Sequence, residues 1–137
     1  MRKGMAKVNK KASVPSHFDR IENMAGNGMP DVLSIRSGRV RYLELKVARN
    51  GIPARRDTPL LGKGHGMRRE QCNWMLEWTN HGGRALVVIG IEGCKMHIAL
   101  SGLYADEINS MSYTELVECA DVVGESPKFW QLLHDYL

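Results

Sequence analysis

The sequence contains no run of about 18 or more apolar residues, so no segment is predicted to span a membrane. Residues 1–11 are basic but lack the apolar stretch of a secretory signal, and we therefore expect an intracellular protein. Only 3 cysteines are present, and no two of them form a Cys-x-x-Cys pair, which favours free thiols over a zinc site or a disulfide framework. The glycine-rich segment 62–66 lacks the rest of a G-x-x-x-x-G-K-[ST] loop, which excludes that type of nucleotide site.

Acidic residues are scarce in the first half of the chain. Residues 1–70 contain 16 Lys and Arg against 6 Asp and Glu, a net charge of +10, whereas residues 71–137 contain 3 against 9, a net charge of −6. A basic half of this kind suggests contact with a polyanion such as nucleic acid, and a disordered basic tail is the alternative interpretation. The length of 137 residues predicts a single domain, 1–137.

Apolar periodicity and turn residues predict an α/β fold with a mixed β-sheet flanked by helices. We expect a flexible basic arm over residues 1–15 and a mobile loop over residues 50–66, because the first is rich in lysine and the second in glycine, proline and basic residues. The predicted strands are residues 17–24, 31–36, 39–48, 84–91 and 95–100, and the predicted helices are residues 67–80, 105–111, 113–122 and 128–136.

Two of these strands form a predicted hairpin that brings two carboxylates together. If Ser37-Gly38 is a two-residue loop, Asp31 lies directly opposite Glu44, with Cβ atoms about 4.5–5.5 Å apart. Facing carboxylates repel each other unless a divalent cation lies between them, and hard cations prefer oxygen ligands. Lys46 is two residues beyond Glu44 and therefore on the same face, whereas the intervening Leu45 points into the core and could offer its carbonyl. A bulge or a longer loop would shift this pairing by one residue.

The residues in and around this hairpin resemble the signature of a nuclease superfamily. Gly28-Met29-Pro30-Asp31, followed by Glu44-Leu45-Lys46, is similar to the PD-(D/E)XK pattern. Gln71-Cys72-Asn73-Trp74 at a helix start and the following strand after Gly82-Gly83 resemble the virus-type replication-repair (VRR-Nuc) branch of that superfamily. The resemblance covers residues 17–91 and implies a restriction-endonuclease-like core.

The resemblance also implies roles for individual residues. Asp31 and Glu44 would bind Mg²⁺ or Mn²⁺ together with the main-chain carbonyl of Leu45. Lys46 would orient the attacking water and stabilise charge on the phosphate, and Gln71 would position the lysine, the water or the substrate. An upstream acid is common in this superfamily, and the candidates are Glu22 and, as the alternative, Asp19.

Basic residues near this centre are the predicted DNA contacts, since they would meet the phosphate backbone. They are Arg55, Arg56, Lys63, Arg68 and Arg69. The implied function is a metal-dependent DNA endonuclease of phage or bacterial replication, repair or recombination, with Holliday-junction resolution as a specific possibility. Such enzymes often act as homodimers, and the apolar C-terminal helices are the predicted dimer contact. The alternatives are a nucleic-acid-binding module with weak or no cleavage, and a ribonuclease.

Overall fold

The computed structural model describes residues 2–21 and 28–137, which form one mixed sheet with helices on both faces. Two 3₁₀ turns, Gly102–Tyr104 and Ile108–Ser110, lie between the fifth strand and the third helix. In chain order the elements are α1 (Arg2–Lys11), β1 (His17–Arg20), β2 (Val32–Arg36), β3 (Arg39–Ala48), α2 (Arg69–Asn80), β4 (Arg84–Ile91), β5 (Met96–Ser101), α3 (Tyr113–Cys119), β6 (Val122–Glu125) and α4 (Lys128–Tyr136).

The six strands lie in the order β1-β2-β3-β4-β5-β6. β3 and β4 run parallel to each other, and α2 makes the crossover between them. The remaining neighbours are antiparallel. The predicted α/β class with a mixed sheet is therefore confirmed.

A separate apolar core lies on each face of the sheet. Val87 and Ile89 of β4 point to the face that α2 and α3 cover, whereas Leu86 and Val88 point to the face that α1 and α4 cover. Because β4 is covered on both sides, its sequence is continuously apolar, as a central strand requires. Within the described residues, no helix is both long and apolar enough to cross a membrane.

The predicted bounds of β3, β4 and α4 are those of the structure, and the predicted helix at 67–80 starts two residues later, at Arg69. The prediction of a helix over 113–122 is wrong at its end, because α3 stops at Cys119 and β6 begins at Val122. This four-residue strand has little local signal, and it forms because its backbone pairs with β5. The short helical turn predicted near 105–111 is the 3₁₀ turn Ile108–Ser110, and a second 3₁₀ turn precedes it at Gly102–Tyr104.

The structure differs from the sequence prediction of a flexible arm over residues 1–15. Residues of α1 form a regular helix whose Met5 is only 2% exposed and packs in the same core as Trp130 of α4. Asn9 fixes the chain after α1, since its amide donates to the Ser16 carbonyl and accepts from the Ser16 N–H, both at 2.7 Å. The sequence did not indicate this contact, because the many lysines on the exposed side of α1 make the segment appear polar.

The apolar residues of α4 pack inside their own chain. Phe129, Trp130 and Leu133 are all buried, and Leu132 and Tyr136 are the large side chains that α4 leaves partly exposed. The apolar character of the C-terminal helices is therefore explained by the core on this face of the sheet. It no longer supports a dimer contact at α4.

Candidate active site

The β2–β3 hairpin has the predicted register. Arg36 pairs with Arg39 across the loop, and Val32 pairs with Leu43 at the other end of β2. Asp31 immediately precedes β2, so the same register continued by one residue places it opposite Glu44. The Asp31 carboxylate accepts a hydrogen bond of 2.9 Å from the backbone N–H of Leu45, which fixes it beside β3.

Glu44 and Lys46 point from β3 towards the first turn of α2. The Glu44 side chain is 2% exposed and the Lys46 side chain 13% exposed, and Lys46 Nζ lies 3.3 Å from Glu44 Oε1. Period-2 alternation along β3 places both side chains on the face that α2 covers. The structure therefore brings the predicted acid, lysine and glutamine into one partly enclosed group.

Gln71 connects the members of this group. Its amide nitrogen donates to Glu44 Oε1 at 2.6 Å, and its amide oxygen accepts from Lys46 Nζ at 2.8 Å and from the Arg68 N–H at 3.0 Å. The last bond satisfies one of the N–H groups that the start of α2 leaves without a helical partner. A glutamine suits this position because it supplies a donor and a two-lone-pair acceptor at once.

Glu44 is the member of the group whose ionised form is disfavoured by its surroundings. Its burial and the nearby Asp31 carboxylate raise the pKa of Glu44 from 4.5 to about 7, against the opposing effect of Lys46. Its second oxygen, Oε2, is buried and has no hydrogen-bond partner among the described residues. A buried carboxylate oxygen without a partner is unfavourable, so its geometry calls for a ligand such as a cation.

The donors around Glu44 Oε2 fit a hard divalent cation, because all of them are oxygens. Asp31 supplies a carboxylate, and the Leu45 carbonyl would be a third donor. The N–H and C=O of one strand residue point to the same side, so the Leu45 carbonyl faces Asp31, as its N–H does. Continued past β2, the register places Pro30 opposite Leu45, and a proline has no N–H with which to occupy that carbonyl.

The upstream acid stays a prediction. Glu22 lies outside the described residues. Asp19 pairs with Leu33 in the sheet, and its carboxylate contacts His17 Nε2 at 2.9 Å. Across residues 2–21 and 28–137, no three or more His, Cys, Asp or Glu side chains are arranged to hold a metal ion. Asp31, Glu44 and a main-chain carbonyl are thus the donors that this part of the chain offers.

Gly28 holds the segment before Asp31 against α2. It has a φ of +85°, and a Cβ added to it would lie 2.0 Å from the Glu70 carbonyl oxygen and 2.8 Å from the Gln71 nitrogen. Only glycine fits both this conformation and this close approach. The sequence pattern marks Gly28 as part of a turn, but its contact with α2 becomes visible only in the structure.

The predicted DNA contacts separate into three groups. Arg55 and Arg56 are exposed in the irregular segment after β3. Lys63 and Arg68 line a groove of about 660 Å³ beside the start of α2. Arg69 forms a 2.8 Å ion pair with Asp106 on the surface, which offsets its charge. Lys63 and Arg68 therefore have the placement that best suits a strand entering the site.

The segment predicted as a mobile loop over 50–66 has no helix and no strand in the structure. Leu60 and Leu61 within it are nevertheless buried in the core under α2, and Pro59 forms a bridge with Ser112. Mobility stays a prediction for the rest of the segment, on both sides of these two leucines.

Asn109 is a residue of this region that the sequence pattern missed. Its side-chain oxygen accepts from the Met67 N–H at 2.7 Å, and its amide nitrogen donates to the Met67 carbonyl at 2.8 Å. The Gly66 backbone lies directly under this amide, because a Cβ there would be 2.1 Å from Asn109 Oδ1. Asn109 thereby fixes the residues that lead into Arg68 and Gln71.

We expect Asn109→Ala to loosen the start of α2 and to lower cleavage roughly tenfold, with a loss of stability of about 1–3 kcal/mol for two hydrogen bonds. Asn109→Asp should have a similar effect, because it keeps the acceptor but places a second oxygen against the Met67 carbonyl. The measurement is cleavage rate together with thermal unfolding. Asn80→Ala, an exposed asparagine at the end of α2, is the control. Unchanged rates in both Asn109 variants would contradict this positioning role.

Comparison with solved structures shows the same fold elsewhere. The chain is similar to Hjc of Archaeoglobus fulgidus, a Holliday junction resolvase from an archaeal hyperthermophile, with a TM-score of 0.55. The match covers 100% of this chain and 100% of that chain, at 11% sequence identity. No family model matches the chain, and no curated protein matches its sequence. What the likeness establishes is the architecture: this chain shares the fold of that resolvase, a mixed six-stranded sheet flanked by helices.

Proposed function

We propose that this protein is a divalent-metal-dependent endonuclease that hydrolyses phosphodiester bonds in branched DNA. The observation that carries the proposal is the group of Asp31, Glu44, Lys46 and Gln71, in which Glu44 Oε2 is buried without a hydrogen-bond partner among the described residues. A binding module has no use for two carboxylates beside an incoming phosphate. A nuclease would use these two carboxylates to hold Mg²⁺ or Mn²⁺.

Asp31, Glu44 and the Leu45 carbonyl would hold the cation, which when bound supplies positive charge beside the scissile phosphate and makes a nearby water more acidic. Lys46 Nζ lies at the rim of this group, where it can orient the attacking water and stabilise negative charge that develops on the phosphate. Gln71 keeps Lys46 and Glu44 in place through its two hydrogen bonds to them. In this mechanism Gln71 is a positioning residue.

Substrate would enter along the groove beside α2. Lys63 and Arg68 line it, and both can contact phosphates on one side of the scissile bond. Arg55 and Arg56 are exposed and would add contacts if the segment before Leu60 closes on DNA. Arg69 would have to leave Asp106 before it could contribute.

Branched DNA is the proposed substrate because the fold matches that of a Holliday junction resolvase over the whole length of both chains. The order of Asp31, Glu44, Lys46 and Gln71 along the chain supports a place in the VRR-Nuc branch, and with it a role in phage or bacterial replication, repair or recombination. A homodimer would supply the two centres that paired cuts need. Its contact surface is not at the apolar side of α4, which is buried.

The proposal is tested with purified protein on labelled four-way junction, flap, linear duplex and single-stranded DNA, and on an RNA duplex. Each substrate is incubated with Mg²⁺, with Mn²⁺ and with EDTA. We expect metal-dependent cutting with the four-way junction preferred. Cutting of RNA alone would make the protein a ribonuclease, and tight metal-independent binding without any cutting would make it a binding module.

A further inference from the structure

Four arginines lie side by side at the end of the sheet that is distant from the candidate active site. Arg36 of β2 pairs with Arg39 of β3, and Arg41 of β3 pairs with Arg84 of β4. Alternation along the strands places all four on the face covered by α1 and α4, opposite to the face of Glu44. We call this set the arginine ladder. Like charges in directly facing positions are destabilising, so two such pairs need an explanation.

Main-chain oxygens hold two members of the arginine ladder in place. Arg36 donates to the Val14 carbonyl at 3.1 Å and to the His134 carbonyl at 2.8 Å. Arg41, which is 3% exposed, donates to the Leu137 carbonyl. Its guanidinium lies 5.5 Å from the centroid of the Tyr136 ring. These contacts hold the guanidinium groups of Arg36 and Arg41 in fixed orientations.

No Asp or Glu side chain of the described residues forms an ion pair with the arginine ladder. Among residues 2–21 and 28–137, the four ion pairs within 4.0 Å involve none of its members. Asp135 is the nearby acid that lines a cleft with Arg36 and Arg39. Asp121 on the other side contributes to the raised pKa of Tyr136, after the effect of burial. Burial and the neighbouring arginines lower the pKa of Arg41, as expected for cations crowded together.

Two clefts open beside the arginine ladder. One, of about 330 Å³, is lined by Arg36, Ser37 and Arg39 together with Asp135. The other, of about 260 Å³, is lined by Arg41 and Arg84 and also by hydroxyl and glycine residues, namely Thr79, Ser101, Gly82 and Gly83. The exposed Arg39 and Arg84 can turn towards an anion, while Arg36 and Arg41 remain fixed beneath them. Planar guanidinium groups suit bidentate contact with phosphate oxygens.

We propose that the arginine ladder is a second phosphate-binding site, which contacts the backbone of a DNA arm other than the one being cut. At about 3.3 Å per residue, Arg39 is roughly 16 Å along β3 from Glu44, and it points to the other face of the sheet. A single straight duplex cannot lie against both faces, whereas a branched molecule can send one arm around the hairpin at Ser37-Gly38. The identity of the ligand as DNA rests on the proposed function.

The test uses the double variant Arg39→Gln with Arg84→Gln in the full chain. The matched control is Lys95→Gln with Lys128→Gln, which removes the same charge from exposed positions elsewhere on the molecule. Binding to a four-way junction, and to a short duplex equal to one arm, is measured by fluorescence anisotropy in EDTA over a series of NaCl concentrations. Thermal unfolding and light scattering check folding and oligomeric state.

For the arginine variant we expect weaker binding to the junction and unchanged binding to the short duplex. The slope of log K against log[NaCl] for the junction should be smaller in magnitude by about 2, because two phosphate contacts are lost. Junction binding equal to that of the lysine control would overturn the proposal. An equal loss of binding to the junction and to the short duplex would also overturn it, because the ladder would then contact the arm that is cut. A changed oligomeric state with unchanged DNA binding would overturn it as well, because the partner would then be a protein. Binding is measured in EDTA and so does not depend on cleavage. If the wild type did not cut DNA, the proposed function would fail, but the binding data would still test the arginine ladder.

Discussion

Glu44→Gln is expected to abolish metal-dependent cleavage, by roughly a thousandfold or more, because a neutral amide is a poor ligand for a divalent cation. Glu77→Gln, which changes an exposed glutamate of α2, is the matched control and should cut like the wild type. The measurement is the single-turnover rate on a four-way junction in Mg²⁺. Cleavage by Glu44→Gln within a few-fold of the wild type would remove Glu44 from the metal site.

Glu44 is also expected to make the stability of the wild type depend on pH. The pKa of Glu44 is raised to about 7, so the folded state holds this proton more tightly than the unfolded state does. Its stabilising contribution is present below pH 4.5 and is lost as the pH rises through 7. The ionised side chain therefore costs the metal-free wild type roughly 3 kcal/mol at pH 8.

This linkage is measured by urea unfolding in EDTA between pH 5 and pH 8, at about unit intervals. The wild type should lose stability over this range, and Glu44→Gln should lose much less. Added Mg²⁺ should restore the stability of the wild type at pH 8 and leave the variant unchanged, since only the carboxylate binds the cation. Parallel stability curves for the two proteins would contradict the burial of an ionisable Glu44.

Gly28→Ala is the second change with a large expected effect. The new Cβ would lie 2.0 Å from the Glu70 carbonyl oxygen, a main-chain atom of α2 that cannot move cheaply. We expect a loss of about 3–4 kcal/mol in stability, and at least a hundredfold loss of cleavage, because the segment that carries Asp31 must move away from α2.

Gly93→Ala separates backbone strain from overlap. Gly93 has the same φ of +85° as Gly28, and a Cβ there would meet no atom within 4 Å. It should therefore show only the penalty of the left-handed conformation, about 1–2 kcal/mol, with normal cleavage. The comparison uses thermal unfolding and cleavage rates measured well below the unfolding midpoint. Equal effects of the two variants would show that the contact of Gly28 with α2 is unimportant.

The centre of the candidate site could be predicted from the sequence because local rules determine it. Ser37-Gly38 is a two-residue turn, and with the register of the hairpin it places Asp31 beside Glu44. Alternation then places Lys46 next to Glu44. The resemblance implied that Gln71 positions the lysine, the water or the substrate. Its contact with Glu44 and its hydrogen bond to the Arg68 N–H became visible only in the structure.

Other features depend on tertiary contacts that no local pattern contains. The four residues of β6 form a strand because they pair with β5. Helix α1 is held in place because Met5 packs in the same core as Trp130. Asn109 belongs to no motif, and its role arises from the folding of a 3₁₀ turn against Met67. The pairing of Arg41 with Arg84 likewise needs the parallel register of β3 and β4, which the sequence does not specify.

The central claim is that Asp31, Glu44, Lys46 and Gln71 form a metal-dependent hydrolytic centre. The most direct test compares the wild type with Lys46→Met, which removes the ammonium group and keeps most of the side-chain volume, on a labelled four-way junction in Mg²⁺ and in EDTA. Lys95→Met is the control at an exposed position. Our account predicts cutting by the wild type and the control in Mg²⁺ alone, and at least a hundredfold less by Lys46→Met with DNA binding retained. Equal cutting by Lys46→Met, or cutting that persists in EDTA, would contradict it.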